Sequence, residues 1–261
     1  MKGKFFFLIA LWKANLLSAM EYRTAFLSQV IGMVLNDAVY FLFWVIFFNK
    51  FKEVRGWGLS DMFLMFGIVA AGFGIAAYLF GNVMNLAELI SQGQMDYYLA
   101  FPQPVLLHVL ASRSIASGFG DFSYGVISFF LAGQFTPAAL GRFALGILLS
   151  ATVFLSFLVL VQSLAFWIGN AQMLSSQAIN AIISFSSYPN TLFDGTSKLL
   201  LFTLIPAAFV GAVPAEFVRS ASWESFLLLI AAATTLLLAA SVTFHRGLRR
   251  YESGSALQIQ I

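Results

Sequence analysis

The chain has no cysteine, only two histidines, and charged residues at just 10% of its 261 positions. Without cysteine there are no disulfides, thiolate metal ligands or thiol nucleophiles, and the redox compartment is not readable. Neither His108 nor His245 lies in an H-E-x-x-H pattern, so an intramembrane zinc protease is excluded and no metal site is expected. No G-x-x-x-x-G-K-[ST] occurs, so the chain lacks a nucleotide-binding P-loop, and neither enzymatic ATP hydrolysis nor a resident cofactor is expected. The two "GFG" triplets, Gly72–Gly74 and Gly118–Gly120, lack the third glycine of a dinucleotide fingerprint and read as packing notches between helices. The net charge of +3 comes from scattered or terminal basic residues rather than a stripe, which argues against a nucleic-acid partner.

What fills the sequence is hydrocarbon. Apolar residues make up 60% of it, including 30 phenylalanines, more than the roughly half that a soluble domain carries. A membrane-crossing helix needs about 20 apolar residues. Six runs are read as spans: Thr24 to Phe48, Met62 to Phe80, Val105 to Leu131, Phe143 to Ile168, Gln172 to Tyr188 and Phe226 to Phe244. Gly133 to Arg142 reads as a turn-like break before the fourth. The expected fold is an all-α membrane protein forming one transmembrane domain over residues 1–261.

Three further segments complete that expectation. Residues 1–22 begin with lysines and place Phe5, Leu8, Ile9, Trp12 and Leu16 at helical spacing, as in a helix lying in the headgroup plane. Within residues 190–222, the apolar stretch Leu199 to Val213 is short for a span and is split by Pro206, which suits a re-entrant helical hairpin on the extracytoplasmic side. With six spans both termini share one side. That side carries eight basic residues (Lys2, Lys4, Lys13, Arg23, Arg113, Arg246, Arg249, Arg250) against six on the other, the bias expected of cytoplasmic termini.

Two carboxylates fall inside spans, Asp37 and Asp121. A charge at membrane depth must face a partner or a wet cavity, so each is either a substrate-path residue or a structural one that is protonated or bonded to a neighbouring helix, Asp37 beside Asn36 and Asp121 near Tyr124. Tyr22, Tyr40, Trp44 and Trp167 read as packing or interfacial aromatics. The stretch "ELISQGQMDYYLAFPQP", Glu88 to Pro104, is longer and more polar than a linker between spans requires. Its pattern predicts a helix leaving the second span, a left-handed turn at Gly93, and a second short helix stopped by Pro102. Asp96, Tyr97 and Tyr98 are expected on its surface, where a tyrosine pair suits an interface.

This arrangement resembles the type 2 ABC exporter permeases. "GQMDYYLAFPQPVLLHVLASR" is similar to the family's G-x-x-D-x-x-L-x-x-P-x-P segment, and "YPNTLFDG" and "GLRRYESG" resemble its other characteristic segments. The resemblance implies a bacterial inner-membrane exporter in which two permeases, identical or related, are driven by two separate cytoplasmic ABC ATPase subunits that bind ATP and magnesium. Residues 84–101 would then be the coupling helix, with Glu88, Gly93, Asp96, Tyr97, Tyr98 and Pro102 as ATPase-coupling residues. The implied substrate is amphipathic, lipid-like or drug-like. A proton-coupled secondary transporter using Asp37 or Asp121, and a membrane scaffold without a transport cycle, are the alternatives.

The topology is testable because the parent lacks cysteine. Ser197→Cys is expected to react with an impermeant maleimide in intact cells, and Ser255→Cys only after permeabilisation. The opposite labelling pattern would invert the topology.

Overall fold

The computed structural model describes residues 2–133 and 135–252. Within them the chain forms α1 (Lys2–Glu21), α2 (Arg23–Lys50), α3 (Leu59–Phe80), α4 (Leu86–Ser91), α5 (Met95–Leu99), α6 (Val105–Ala111), α7 (Gly118–Leu131), α8 (Pro137–Ser163), α9 (Ala165–Ile168), α10 (Gln172–Ser186), α11 (Gly195–Thr203), α12 (Ala212–Ser220) and α13 (Trp223–Leu248). No strand occurs among the described residues, and the expectation of an all-α membrane protein holds. By length and composition, Gly3–Glu21, Arg23–Lys50, Leu59–Ser91, Pro137–Ile168 and Trp223–Leu248 could each cross a membrane, and the bent pair Gly195–Thr203 and Ala207–Ser220 could supply one more. The end of the "GLRRYESG" segment, and Ser255, lie outside the described residues.

Several expected boundaries move. Val105 to Leu131 is two helices rather than one continuous span, because the chain turns across the end of α3 between them. There the Ile115 amide donates to the Ala77 carbonyl at 3.0 Å, and the Asn82 amide to the Arg113 carbonyl at 3.1 Å. The fourth span begins earlier than Phe143: Pro137 takes the first helical position, where its missing N–H costs nothing, and the Thr136 hydroxyl caps the Ala139 amide at 3.1 Å. At 15 residues, α10 is about 22 Å long, short of a hydrocarbon core of about 30 Å. Pro206 does split its segment, and the two halves meet at a 66° bend.

The N-terminal helix divides the expected apolar set between two settings. Phe5 and Ile9 are exposed, while Trp12 Nε1 donates to the Leu79 carbonyl at 2.8 Å, Asn15 Nδ2 to the Ala111 carbonyl at 3.0 Å, and Phe7 packs edge-on against His108. These partners lie at one end of α3 and on the α6 segment beside it. A helix running alongside α3 would meet it along its length; α1 meets only that end.

The centre of the fold is the α3–α7 pair. A Cβ added to Gly74 would lie 2.5 Å from the Gly118 carbonyl oxygen, and one on Gly125 would lie 2.5 Å from that of Gly67, so the two backbones touch with no side chain between them. Each "GFG" is a two-sided notch. Gly74 meets α7 while Gly72 faces Ser150 of α8, and Gly118 meets α3 while Gly120 faces Val30 and Met33 of α2. Without a hydrophobic driving force between helices in lipid, such close approach supplies dispersion contact that larger residues would prevent. Serine hydroxyls add interhelical bonds to backbone carbonyls, Ser128 to Phe63 at 2.7 Å and Ser150 to Val210 at 2.7 Å.

Gly125→Leu is expected to force α3 and α7 apart and lower stability by an amount near the top of the usual overpacking range of about 1–3 kcal/mol. Gly32→Leu, where nothing lies within 4 Å of the added Cβ, is expected to leave it unchanged. Thermal unfolding of the two variants in the same detergent checks this; equal midpoints would contradict it.

Candidate functional site

Asp37 and Asp121, far apart in sequence, open onto one cavity of about 360 Å³. Helix α2 supplies Asp37, Tyr40 and Trp44 at i, i+3 and i+7, one face of a helix, and α7 supplies Asp121 and Tyr124 at i and i+3. Phe73 of α3, Phe154 of α8 and Ser184 of α10 close the remaining sides, and Val210 contributes from the turn after Pro206. Phe73 sits between the two glycines of its notch, so the same close packing that joins α3 to α7 and α8 turns this ring into the cavity, against Phe154 at 5.3 Å.

Asp121 is 2% exposed and Tyr124 is 5% exposed. The Oδ2 atoms of Asp37 and Asp121 are buried without a hydrogen-bond partner, and the two carboxylates are close enough to repel each other when charged. The neighbour expected for each aspartate is present, Asn36 for Asp37 and Tyr124 for Asp121, yet an oxygen of each carboxylate is left unmatched. No lysine, arginine or histidine is among the lining residues.

A second cavity of about 280 Å³ shares Phe43, Trp44 and Tyr188 with the first, and Trp44 and Tyr188 meet edge-on between them at 5.6 Å. It continues towards Val54, Trp57 and Leu192. Over that end Arg55 reaches Asp194 at 2.9 Å and the Thr191 carbonyl at 2.5 Å. Nearby, Arg219 bonds the Gly56 carbonyl and Asp61 and lies over the Trp57 ring at 5.1 Å. The "YPNTLFDG" segment therefore provides both the shared wall, Tyr188, and the partner of Arg55, Asp194.

At the far end of α3 the 84–101 segment forms a platform. A 3-10 turn, Gly81–Asn85, leads into α4, and Gly93 adopts φ +73° between α4 and α5, the left-handed turn expected of it. Buried Asn82 fastens the platform: its Nδ2 donates to the Val109 carbonyl at 2.9 Å and to Ser112 Oγ at 2.8 Å, and lies 3.3 Å from the Tyr98 hydroxyl. Gln162 of α8 clamps it from the other side, accepting from the Ala87 amide at 2.9 Å and donating to the Met84 carbonyl at 3.1 Å.

The two tyrosines therefore differ. Tyr98 is 8% exposed and turned into this network rather than to the surface, whereas Tyr97 is 61% exposed, next to Phe101 and Pro102. Adjacent helical positions point about 100° apart, and here the exposed face of α5 takes in Asp96 and Tyr97 while Tyr98 turns inward. Glu88 Oε1 accepts from Gln92 Nε2 at 2.9 Å on the exposed side of α4. Asp96 lies beside Tyr251, whose phenol is pushed above its usual pKa by burial first and then by the Asp96 charge. The "GLRRYESG" segment thus returns to the platform, its Gly247 tight against the Phe166 ring.

Asn82, Gln162, Tyr188 and the Arg55–Asp194 pair are missed by a reading of the sequence alone. A buried amide at each end of the clamp was the available signal, since Asn82 and Gln162 are polar residues inside otherwise apolar stretches.

No curated protein and no solved structure shows a significant match to this chain. A family model described as ABC-2 family transporter protein matches residues 34–255, which takes in both cavities and the platform. The chain belongs to the ABC-2 family of transporter proteins and is a multi-pass membrane protein of the permease-subunit type that works with an ABC ATPase partner.

Proposed function

We propose that this chain is the permease of an ATP-driven exporter in the bacterial inner membrane, paired with an identical or related permease and driven by two cytoplasmic ATPase subunits that bind ATP and magnesium. In this reading six spans place both termini in the cytoplasm, α1 lies in the headgroup plane, and residues 190–222 form the extracytoplasmic re-entrant region. An amphipathic, lipid-like or drug-like substrate occupies the larger cavity and leaves through the smaller one, past Trp44 and Tyr188, when the Arg55–Asp194 pair parts.

The observation that carries the proposal is the platform of residues 84–101. It is fixed to α3 by Asn82 and to α8 by Gln162 and presents Tyr97 outward. Glu88, Asp96, Tyr97 and Pro102 supply its docking surface, Gly93 the turn that shapes it, and Tyr98 the internal bond that keeps it rigid. Movement of a docked ATPase would reach α3 and α8, and both contribute rings to the cavity.

A second reading is favoured by one observation, the unmatched carboxylate oxygens in a shared cavity. A proton-coupled transporter would use such a pair as its relay. The two readings part on energy source, since export that persists without ATP and stops when the proton gradient is collapsed belongs to the second.

Asp96→Lys and Tyr97→Ala are expected to lower export and substrate-stimulated ATP hydrolysis in the assembled complex while leaving substrate binding and insertion intact, with an interface loss of about 1–4 kcal/mol for the tyrosine. Tyr98→Ala is expected to act differently, lowering thermal stability by about 3–5 kcal/mol through loss of a buried ring. ATP turnover and export measured together in liposomes check the first pair, and unfolding midpoints check the third. Parental coupling in both surface variants would reduce the segment to an ordinary linker.

A further inference from the structure

We propose that the larger cavity selects organic cations, with the positive nitrogen facing Asp37 and Asp121 and the apolar part held among the aromatic rings. This names the substrate class for the transport site proposed above and rests on that reading. A volume of about 360 Å³ is within the range of small-molecule sites, so the ligand is of one or two rings rather than a whole lipid.

Three observations converge on charge. Asp121, 2% exposed, lines the cavity and leaves its Oδ2 without a partner, and Asp37 on the adjacent helix α2 does the same. A buried carboxylate of this kind is satisfied by a cation or by a proton, and the lining offers no basic side chain of its own. An anionic substrate would be repelled by two like charges, and a neutral one would leave them to be matched by protons, whereas a cation matches them directly.

The walls decide which kind of cation fits. Tyr40, Trp44, Phe73 and Tyr188 line the cavity with aromatic surface, which attracts ammonium and quaternary nitrogen through the negative face of the ring. A divalent metal would instead need about six oxygen ligands. No group of three or more His, Cys, Asp or Glu side chains suited to a metal occurs among the described residues.

The test uses the purified full-length chain in lipid nanodiscs, without ATP or ATPase, and tritiated benzyltriethylammonium, whose charge is independent of pH. Binding is expected to be saturable and displaced by unlabelled cation but not by benzenesulfonate, a ring of opposite charge. Asp121→Asn and Asp37→Asn should each weaken it by about tenfold or more, the scale of removing one partner from a desolvated charge pair. Glu224→Gln, at the exposed start of α13, should bind as the parent does. Displacement by benzenesulfonate as effective as by the cation, parental affinity in both Asn variants, or absence of saturable binding would each overturn the proposal. If Asp121→Asn does not fold, the half-buried Asp37→Asn and the parental displacement pattern decide. Failure of the exporter reading is seen separately, in the ATP dependence of transport, because the binding measurement contains no ATPase.

Discussion

Everything in this molecule is arranged around the contact of two bare backbones. Gly67 and Gly74 of α3 lie against Gly125 and Gly118 of α7 with no room for a Cβ, and Gly72 and Gly120 extend the contact to α8 and α2. In a soluble core such an arrangement would forfeit buried side-chain area. Between apolar helices in lipid it gains contact that bulkier residues would forbid. It also fixes the rotation of both helices, and that rotation turns Phe73 and Asp121 to the same cavity. The carboxylate is thus held at depth by packing, not by a partner that neutralises it.

The two ends of the bundle are built from different chemistry. At one end amides and hydroxyls bind backbone groups, with Asn82 and Gln162 each using several of their donors and acceptors inside the protein. Buried amides bonded through both oxygen and nitrogen make a stiff joint, since each broken bond strands a buried polar group. At the other end the ties are ionic and partly exposed: Arg55 and Asp194 have 51% and 76% of their side-chain surface open. Exposed ion pairs contribute little to stability and separate easily. A rigid platform and a weakly tied rim are what the proposed cycle requires, a push at one end and an opening at the other.

Much of this was legible in the sequence, and the rest was not for identifiable reasons. The apolar runs reported the long helices, Gly93 and Pro102 reported the shape of the platform, and the "GFG" triplets reported helix contact without saying which helix each glycine would meet. The break between α6 and α7 was hidden because Ser112, Ser114 and Ser117 are small enough to pass inside an apolar run, although Arg113 among them marks the place. Asp37, Tyr40 and Trp44 share a helical face that periodicity alone can find, yet Tyr40 and Trp44 read as packing because nothing local shows that α10 stands opposite. Tyr97 and Tyr98 look equivalent in sequence and are told apart by the fold, where the Tyr98 hydroxyl meets Asn82 and Ser112, contacts made from other elements.

The thinness of one cavity wall has a consequence for measurement. Little of α2 is buried, chiefly Phe41, Trp44 and Phe48, and Tyr40 and Phe43 are 71% and 57% exposed although both line the cavity. In a bilayer, wherever no second subunit covers α2, the flank of this site borders hydrocarbon, where an amphiphile accumulates far above its concentration in water. Occupancy would then follow the mole fraction of ligand in the lipid phase. A dissociation constant expressed per litre of buffer would drift as vesicles are added, with no change in the protein, and affinities from preparations with unequal lipid content would not be comparable until each is corrected for partitioning.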